Sequence, residues 1–105
     1  MHCDVLQVWV QWVLNYLTDA DLLTFLSRCA AALGPGGALI VKESVARAPR
    51  GFYVDRSDSS ITRTDTHFRD LFARAGLRML HSAWQPNLPR AVFPVAMYAL
   101  VRDQP

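Results

Sequence analysis

Two apolar runs flanking one amphipathic segment most constrain what this chain can fold into. Val5–Gln11 and Ala38–Lys42 are rich in branched and aromatic residues, and near-continuous apolar runs are typical of parallel strands covered on both faces. Thr18 can cap a helix between them, because its hydroxyl can accept a hydrogen bond from a free amide of the first turn. Gly34-Pro35-Gly36-Gly37 is expected to end that helix. Strand, helix and strand together predict one right-handed βαβ unit with a parallel sheet.

The predicted helix carries one apolar face. Its apolar residues recur at helical spacing: Leu22, Leu23, Phe25, Leu26, Cys29, Ala30 and Leu33. Asp19 and Asp21 favour its start, since carboxylates suit the positive end of the helix dipole.

The rest of the chain predicts a long loop, a second helix and two more strands. About twenty residues from Glu43 to Arg63 lack clear periodicity, and loops of that length are usually functional or disordered. Thr64 or Asp65 can open a helix that Gly76 closes. Leu77–Trp84 and Val92–Val101 are the further strands, separated by a turn. We predict one domain over residues 1–105.

Composition excludes several classes of function. The formal net charge is only +2 and the eleven basic residues are scattered, so nucleic-acid binding is not expected. No apolar run approaches the roughly 20 residues of a membrane span, and the start lacks the pattern of a signal peptide. Cys3 and Cys29 have no metal-type spacing. We therefore expect a soluble protein of the cytoplasm or nucleus, without a metal site and without a membrane partner.

The expected site lies where the first two strands end. In open parallel sheets, ligands bind outside the carboxyl ends of the strands. Gln11 and Trp12 end the first strand, and Glu43 and Ser44 end the second. The segment Asp55–Ser60 adds two carboxylates and hydroxyls. An aromatic edge facing an acidic, hydroxyl-rich loop would suit a small cation with an apolar body, and an amine is the obvious candidate.

Simpler structural roles remain open for these residues. Asp58, Ser59 and Ser60 can cap a turn, and Trp12 can be a core residue. Thr18 and Asp19 can serve as capping residues only.

Other charged and titratable residues also have simpler readings. Glu43 can pair with Lys42 or Arg63 on the surface, where an ion pair contributes little. The three histidines are dispersed along the chain, and we read them as non-catalytic.

A series of short motifs resembles one enzyme family. The series comprises Gln11-Trp12, Leu17-Thr18-Asp19, Pro35-Gly36-Gly37, Lys42-Glu43, Asp58-Ser59-Ser60, Arg63, Asn87-Leu88-Pro89 and Tyr98-Ala99-Leu100. Together these motifs resemble the protein α-N-terminal methyltransferases. Members of that family use S-adenosylmethionine to methylate the α-amino group of proteins that expose an X-Pro-Lys-type N-terminus.

The resemblance implies a partial class I, Rossmann-like methyltransferase fold. The chain is similar to the carboxyl-terminal half of a seven-stranded α/β domain, with about four strands and two main helices. These strands would be the fourth to the seventh, with the last antiparallel between its neighbours. The Gly-rich loop that holds the cofactor belongs to the other half, and no G-x-G-x-G occurs in this sequence.

The resemblance also implies a role for each candidate residue. Gln11 is similar to the residue that contacts S-adenosylmethionine, and Trp12 to the one that packs against the first substrate residues, including Pro. Asp58 resembles a carboxylate that helps to take the proton from the amine. The remaining polar residues resemble the wall that receives the first residues of the substrate: Asp55, Ser59 and Ser60.

Two positions depart from the family pattern. Tyr16 stands where many members have His, and Ser44 stands where an Asn usually holds the substrate amine. A tyrosine phenol is a poor base but a usable hydrogen-bond partner. Proton transfer and the amine hydrogen bond are therefore the steps these changes affect, with Asp58, Tyr16 and Ser44 as the candidate catalytic residues.

Three hypotheses follow. The first is methylation of exposed X-Pro-Lys N-termini of protein partners by a truncated form or a longer gene product. The second is an inactive module that binds peptide N-termini, and the third is an incomplete gene model. In the half domain, Val5–Gln11 would be an open apolar edge strand, which predicts self-association.

Overall fold

The computed structural model describes residues 5–47, 51–55 and 60–103. In chain order the elements are β1 (Val5–Gln11), a 3-10 turn (Leu14–Tyr16), α1 (Asp19–Ala32), β2 (Leu33–Ser44), β3 (Phe52–Asp55), β4 (Ser60–Arg63), α2 (Asp65–Arg74), β5 (Leu77–Trp84) and β6 (Val95–Arg102).

Four of these strands form one mixed sheet in the order β1-β2-β6-β5. β1 and β2 are parallel, as a helical crossover through α1 requires. β6 is antiparallel to both β2 and β5 and lies between them. The predicted partial class I arrangement, with the last strand antiparallel between its neighbours, is confirmed.

Both predicted helices form, and their caps explain their starts. The Thr18 hydroxyl accepts a hydrogen bond from the Asp21 amide at 3.2 Å, and the Thr64 hydroxyl accepts one from the His67 amide at 3.3 Å. α2 ends at Arg74, and Gly76 follows two residues later with a φ of 83°, the left-handed conformation that glycine adopts without strain.

The helices pack on one core. The buried apolar side chains of α1 are Leu22, Leu26, Cys29 and Ala30, and those of α2 are Phe68, Leu71 and Phe72. Tyr98 of β6 is buried against α2, and its hydroxyl donates to the Asp65 carboxylate at 2.7 Å. No helix in the described part of the chain is long and apolar enough to cross a membrane.

Two predicted strand starts are wrong. β2 begins at Leu33 rather than Ala38, because Leu33 is opposite Val5 and Ala38 is opposite Gln7, so the residues between them bulge out. Gly36, with a φ of 77°, lies in that bulge. β6 begins at Val95 rather than Val92.

The segment predicted as one long loop contains a two-stranded antiparallel sheet. β3 and β4 pair with Phe52 opposite Arg63 and Asp55 opposite Ser60. An isolated parallel bridge joins Ala46 to Thr64. Much of this segment is therefore ordered through its own backbone pairing.

The expectation that β1 is covered on both faces is also wrong. Trp9, in the centre of β1, is 61% exposed, so one face of the strand is open. Within the described residues β1 also pairs with β2 alone, so it is an edge strand of the four-stranded sheet. An exposed apolar edge of this kind is what the self-association hypothesis requires.

Candidate functional site

A cavity of about 270 Å³ lies beyond the carboxyl ends of β1 and β2. This is the position where ligands bind in open α/β sheets. Its lining residues come from three places in the chain: Trp12, Asn15 and Tyr16 after β1, Glu43 and Ser44 at the end of β2, and Ser60, Thr62 and Phe93 from the later segments.

Trp12 turns the chain away from β1 in an unusual backbone conformation. Its φ is 60°, a left-handed value that costs a residue other than glycine about 1–2 kcal/mol. The Trp12 amide donates to the Lys42 carbonyl at 3.2 Å, and the Lys42 ammonium lies 5.7 Å from the centre of the indole ring. Such strain persists only where the surroundings enforce it, and it clusters at functional sites.

Glu43 holds the turn that follows Trp12. One oxygen, Oε2, accepts from the amides of both Val13 and Leu14 at 3.0 Å. The side chain is only 2% exposed, so the expected surface pairing with Lys42 or Arg63 is wrong. Burial raises the pKa of Glu43, although these backbone hydrogen bonds and the nearby Arg63 charge oppose the rise.

Arg63 holds the same turn from the opposite side. Its guanidinium donates to the Leu14 carbonyl at 3.1 Å and to the Leu17 carbonyl at 2.6 Å. Its Nε donates to the Asp19 carboxylate at 2.8 Å. The residue is 0% exposed. The turn is thus held between a buried carboxyl group and a buried guanidinium group.

Asp19 extends this network to α2. Its second oxygen, Oδ2, lies 2.9 Å from His67 Nε2. Partial burial alone would raise the pKa of Asp19, but the hydrogen bonds from Arg63 and His67 outweigh it and lower the pKa. Asp19 therefore does more than cap α1, and the expected capping-only role is incomplete.

Asn15 sits on the turn with its amide buried. Its Nδ2 donates to the Ser44 carbonyl at 3.3 Å. Its Oδ1 is buried and has no hydrogen-bond partner among the described residues. The structure thus places an asparagine amide on the backbone of Ser44, the position at which the resemblance implies an asparagine side chain.

An aromatic rim surrounds the cavity, made of Trp12, Tyr16 and Phe93. All three side chains are substantially exposed. The ring of Tyr53, from β3, lies 5.8 Å from the Phe93 ring and extends the rim. Aromatic faces of this kind can pack against a proline ring and attract a cation.

The structure brings together four of the residues predicted from the sequence. Trp12, Tyr16, Ser44 and Ser60 all line the cavity. Gln11 is exposed at the end of β1 and does not line it.

Most of the acidic part of the predicted site lies outside the residues that the structure describes. Asp58 and Ser59 lie outside the described residues. Asp55 is the last residue of β3, and its backbone is opposite Ser60. The predicted roles of these three side chains stay predictions.

The sequence-based prediction missed three lining residues, Asn15, Thr62 and Phe93. It also missed the support that Arg63 gives to the turn through the Leu14 and Leu17 carbonyls. Thr62 could have been found from Ser60, because residues two apart on a strand face the same side. Asn15 lies between Trp12 and Tyr16, two residues that were predicted. Nothing in the local sequence marks Phe93, which reaches the cavity from the connection before β6.

The fold and this cavity define the class of protein, that of the class I S-adenosylmethionine-dependent methyltransferases. A SAM-dependent methyltransferase from Leishmania major superposes with a TM-score of 0.85 at 39% sequence identity. The match covers 95% of this chain and 39% of that one. Residues 4–101 match the family of AdoMet-dependent proline di-methyltransferases, and the chain belongs to that family.

Curated relatives support the same assignment. Alpha N-terminal protein methyltransferase 1 of Arabidopsis thaliana is 44% identical over 98 residues, which is 93% of this chain and 35% of the relative. The N-terminal Xaa-Pro-Lys N-methyltransferase 1 of Danio rerio is 40% identical over 93 residues, covering 89% of this chain and 41% of the relative. The chain thus spans well under half the length of these relatives.

Proposed function

We propose that the protein carrying this chain methylates the α-amino group of proteins with an X-Pro-Lys-type N-terminus. One observation carries the proposal: a cavity lined by Trp12, Tyr16, Ser44 and Ser60 lies at the carboxyl ends of β1 and β2, in a chain that belongs to a methyltransferase family. This chain contributes the side of the site that receives the substrate.

The size and lining of the cavity suit the start of a polypeptide. About 270 Å³ is just below the usual range for small-molecule sites, so it suits a terminal residue better than a large ligand. The aromatic rim offers a surface on which a second-position proline can pack. Asp55, Ser59 and Ser60 complete the proposal as the polar wall for the first residues of the substrate and its basic third residue.

The chemistry requires a neutral amine. A protonated amine has no lone pair, and a protein α-amino group has a pKa of about 8, so its proton is removed at low cost near neutral pH. In the proposal Asp58 accepts that proton, directly or through water. The Tyr16 and Ser44 hydroxyls orient the amine by hydrogen bonding. Positioning then supplies most of the rate.

S-adenosylmethionine supplies, when bound, an electrophilic methyl group on a sulfonium. Of this chain's residues, Gln11 fits a contact with it, since its side chain is exposed beside Trp12 at the carboxyl end of β1. A side-chain amide both donates and accepts, which matches the mixed polar groups of that cofactor. Trp12, the next residue along the chain, lines the cavity.

Mass spectrometry of a methyl-transfer reaction tests this proposal. The protein is incubated with S-adenosylmethionine and a peptide that starts with X-Pro-Lys, and we expect the peptide to gain the mass of one or more methyl groups. The matched control is the same peptide with an acetylated N-terminus, which should gain nothing. No gain with the free amine, or equal gain with both peptides, would reject methylation of the α-amino group.

A further inference from the structure

The amide of Asn15 has one satisfied end and one unsatisfied end. Asn15 is 7% exposed. Its Nδ2 donates to the Ser44 carbonyl at 3.3 Å. Because a backbone carbonyl can only accept, this bond fixes the orientation of the amide and leaves Oδ1 as a pure acceptor. Oδ1 finds no partner among the described residues.

Buried acceptors without partners are rare and costly in native proteins, so each one needs an explanation. Asn15 is not required to close the turn, since Glu43 accepts from the Val13 and Leu14 amides and Arg63 donates to the Leu14 and Leu17 carbonyls. A side chain without polar atoms would avoid the cost. The missing partner of Oδ1 is a hydrogen-bond donor.

The location of Asn15 indicates where that donor comes from. Asn15 lines the same cavity as Trp12, Tyr16 and Ser44. The cavity is the place where the proposed substrate inserts its amine, and an amine nitrogen carries N–H donors in both its protonated and its neutral form.

We propose that Asn15 Oδ1 accepts an N–H from the α-amino group of the substrate and thereby orients that group in the cavity. This inference rests on the proposed function and deepens it by naming the residue that recognises the amine. After the amine loses its proton, one N–H of the neutral amine still donates to Oδ1. This hydrogen bond sets the direction of the lone pair on the amine nitrogen. An amide carbonyl is not a base at neutral pH, so Asn15 positions the amine and takes no proton from it.

Other buried polar groups at the cavity do not fill this role. Glu43 Oε2 is occupied by two backbone amides. The Arg63 guanidinium is a donor and is bonded to Asp19, Leu14 and Leu17. Among the buried side-chain atoms of the described cavity lining, Asn15 Oδ1 is the acceptor left without a partner.

A binding cycle tests the inference without any methyl transfer. Dissociation constants are measured by fluorescence anisotropy, in the absence of cofactor, for two peptides labelled at their carboxyl ends. One peptide starts with a free α-amino group followed by Pro-Lys, and the other is its des-amino analogue, in which hydrogen replaces the amine. The preference of the protein is the ratio of the two dissociation constants.

Two variants remove the acceptor in different ways. Asn15→Leu keeps the side-chain volume, and Asn15→Ala removes it. In both variants we expect the preference for the amine to fall about tenfold, because one hydrogen bond to the amine is lost. The affinity for the des-amino peptide should change less than about twofold. Any loss of folded protein lowers the apparent affinity for both peptides by the same factor, so the ratio of the two dissociation constants is unaffected.

Gln85→Ala is the matched control. Gln85 Oε1 is the other buried amide oxygen without a partner among the described residues, and it does not line the cavity. Its removal should leave the preference unchanged. A fall equal to that of the Asn15 variants would overturn the inference.

The remaining outcomes separate the inference from the proposed function. If the unaltered protein prefers the amine and both Asn15 variants keep that preference, the role of Asn15 is wrong and the proposed function stands. If the unaltered protein shows no preference for the amine, both are rejected together.

Discussion

Replacing Arg63 with methionine should destabilise the protein through the turn it supports. The guanidinium is 0% exposed and donates to the Leu14 carbonyl, the Leu17 carbonyl and Asp19. Methionine keeps an unbranched stem of similar length but donates nothing. The Leu14 carbonyl retains its bond from the Leu17 amide at 3.1 Å, so the main loss is the partner of the Leu17 carbonyl.

The magnitude follows from these contacts. A buried carbonyl without its partner costs about 1–3 kcal/mol. The Asp19 side chain is 45% exposed, so water can replace its ion pair, and that part costs only about 0–1 kcal/mol. We expect a fall of about 1–4 kcal/mol in the free energy of unfolding. This is a large share of the total, since native domains typically have a free energy of unfolding of about 5–15 kcal/mol.

Urea denaturation followed by tryptophan fluorescence measures this change. Arg69→Met is the matched control, because Arg69 is exposed and pairs with Asp65 within one helix; its loss should stay within about 0.5 kcal/mol. Arg63→Lys should fall between the two, since an ammonium cannot make the same set of directed bonds. A loss below about 0.5 kcal/mol for Arg63→Met would refute the account of the turn.

Three further results are expected. Because the pKa of Asp19 is lowered by its partners, its contribution to stability is present above its ordinary value of 3.8 and disappears as the pH falls through the lower folded-state value; acid titration of stability should show this loss, and Asp19→Asn should lack it. Tyr98→Phe removes a 2.7 Å hydrogen bond to the Asp65 carboxylate, so calorimetry should give a loss of about 1–2 kcal/mol, and an unchanged unfolding temperature would contradict that bond. Trp9 is 61% exposed on the edge strand β1, so Trp9→Glu should reduce any self-association of the chain; a light-scattering mass that is monomeric before the substitution would contradict the self-association hypothesis.

Local patterns were sufficient to predict most of the fold. The bounds of β5 agree with the prediction, and Thr18 and Thr64 cap the two helices as their hydroxyls allow. The parallel pairing of β1 with β2 follows from the helix between them. The antiparallel placement of β6 came from the family resemblance, since short apolar runs do not reveal their order in a sheet.

The short sheet of β3 and β4 was missed because each strand has only four residues. Strands that short carry too little alternation to be distinguished from a loop. These two strands are stabilised by pairing with each other and by the bridge between Ala46 and Thr64.

The supports of the site depend on contacts that the sequence does not reveal. Glu43 and Arg63 are charged, and charged residues are rarely buried without a partner. Glu43 accepts from the Val13 amide, which is 30 residues away in the sequence. Arg63 donates to the Leu14 carbonyl, which is 49 residues away. Residue type and spacing therefore predicted where the site lies, but not what holds it in shape.

The tryptophan indole N–H signals of the protein provide the most direct test of the central claim, that the cavity receives an α-amino group. Trp12 lines the cavity, whereas Trp9 and Trp84 are exposed elsewhere and do not line it. In NMR titration with a peptide that starts with X-Pro-Lys, we predict a shift of the Trp12 signal, little change in the other two, and no shift with the N-acetylated peptide. Equal shifts with both peptides, or a shift at Trp9 or Trp84 without one at Trp12, would contradict the claim.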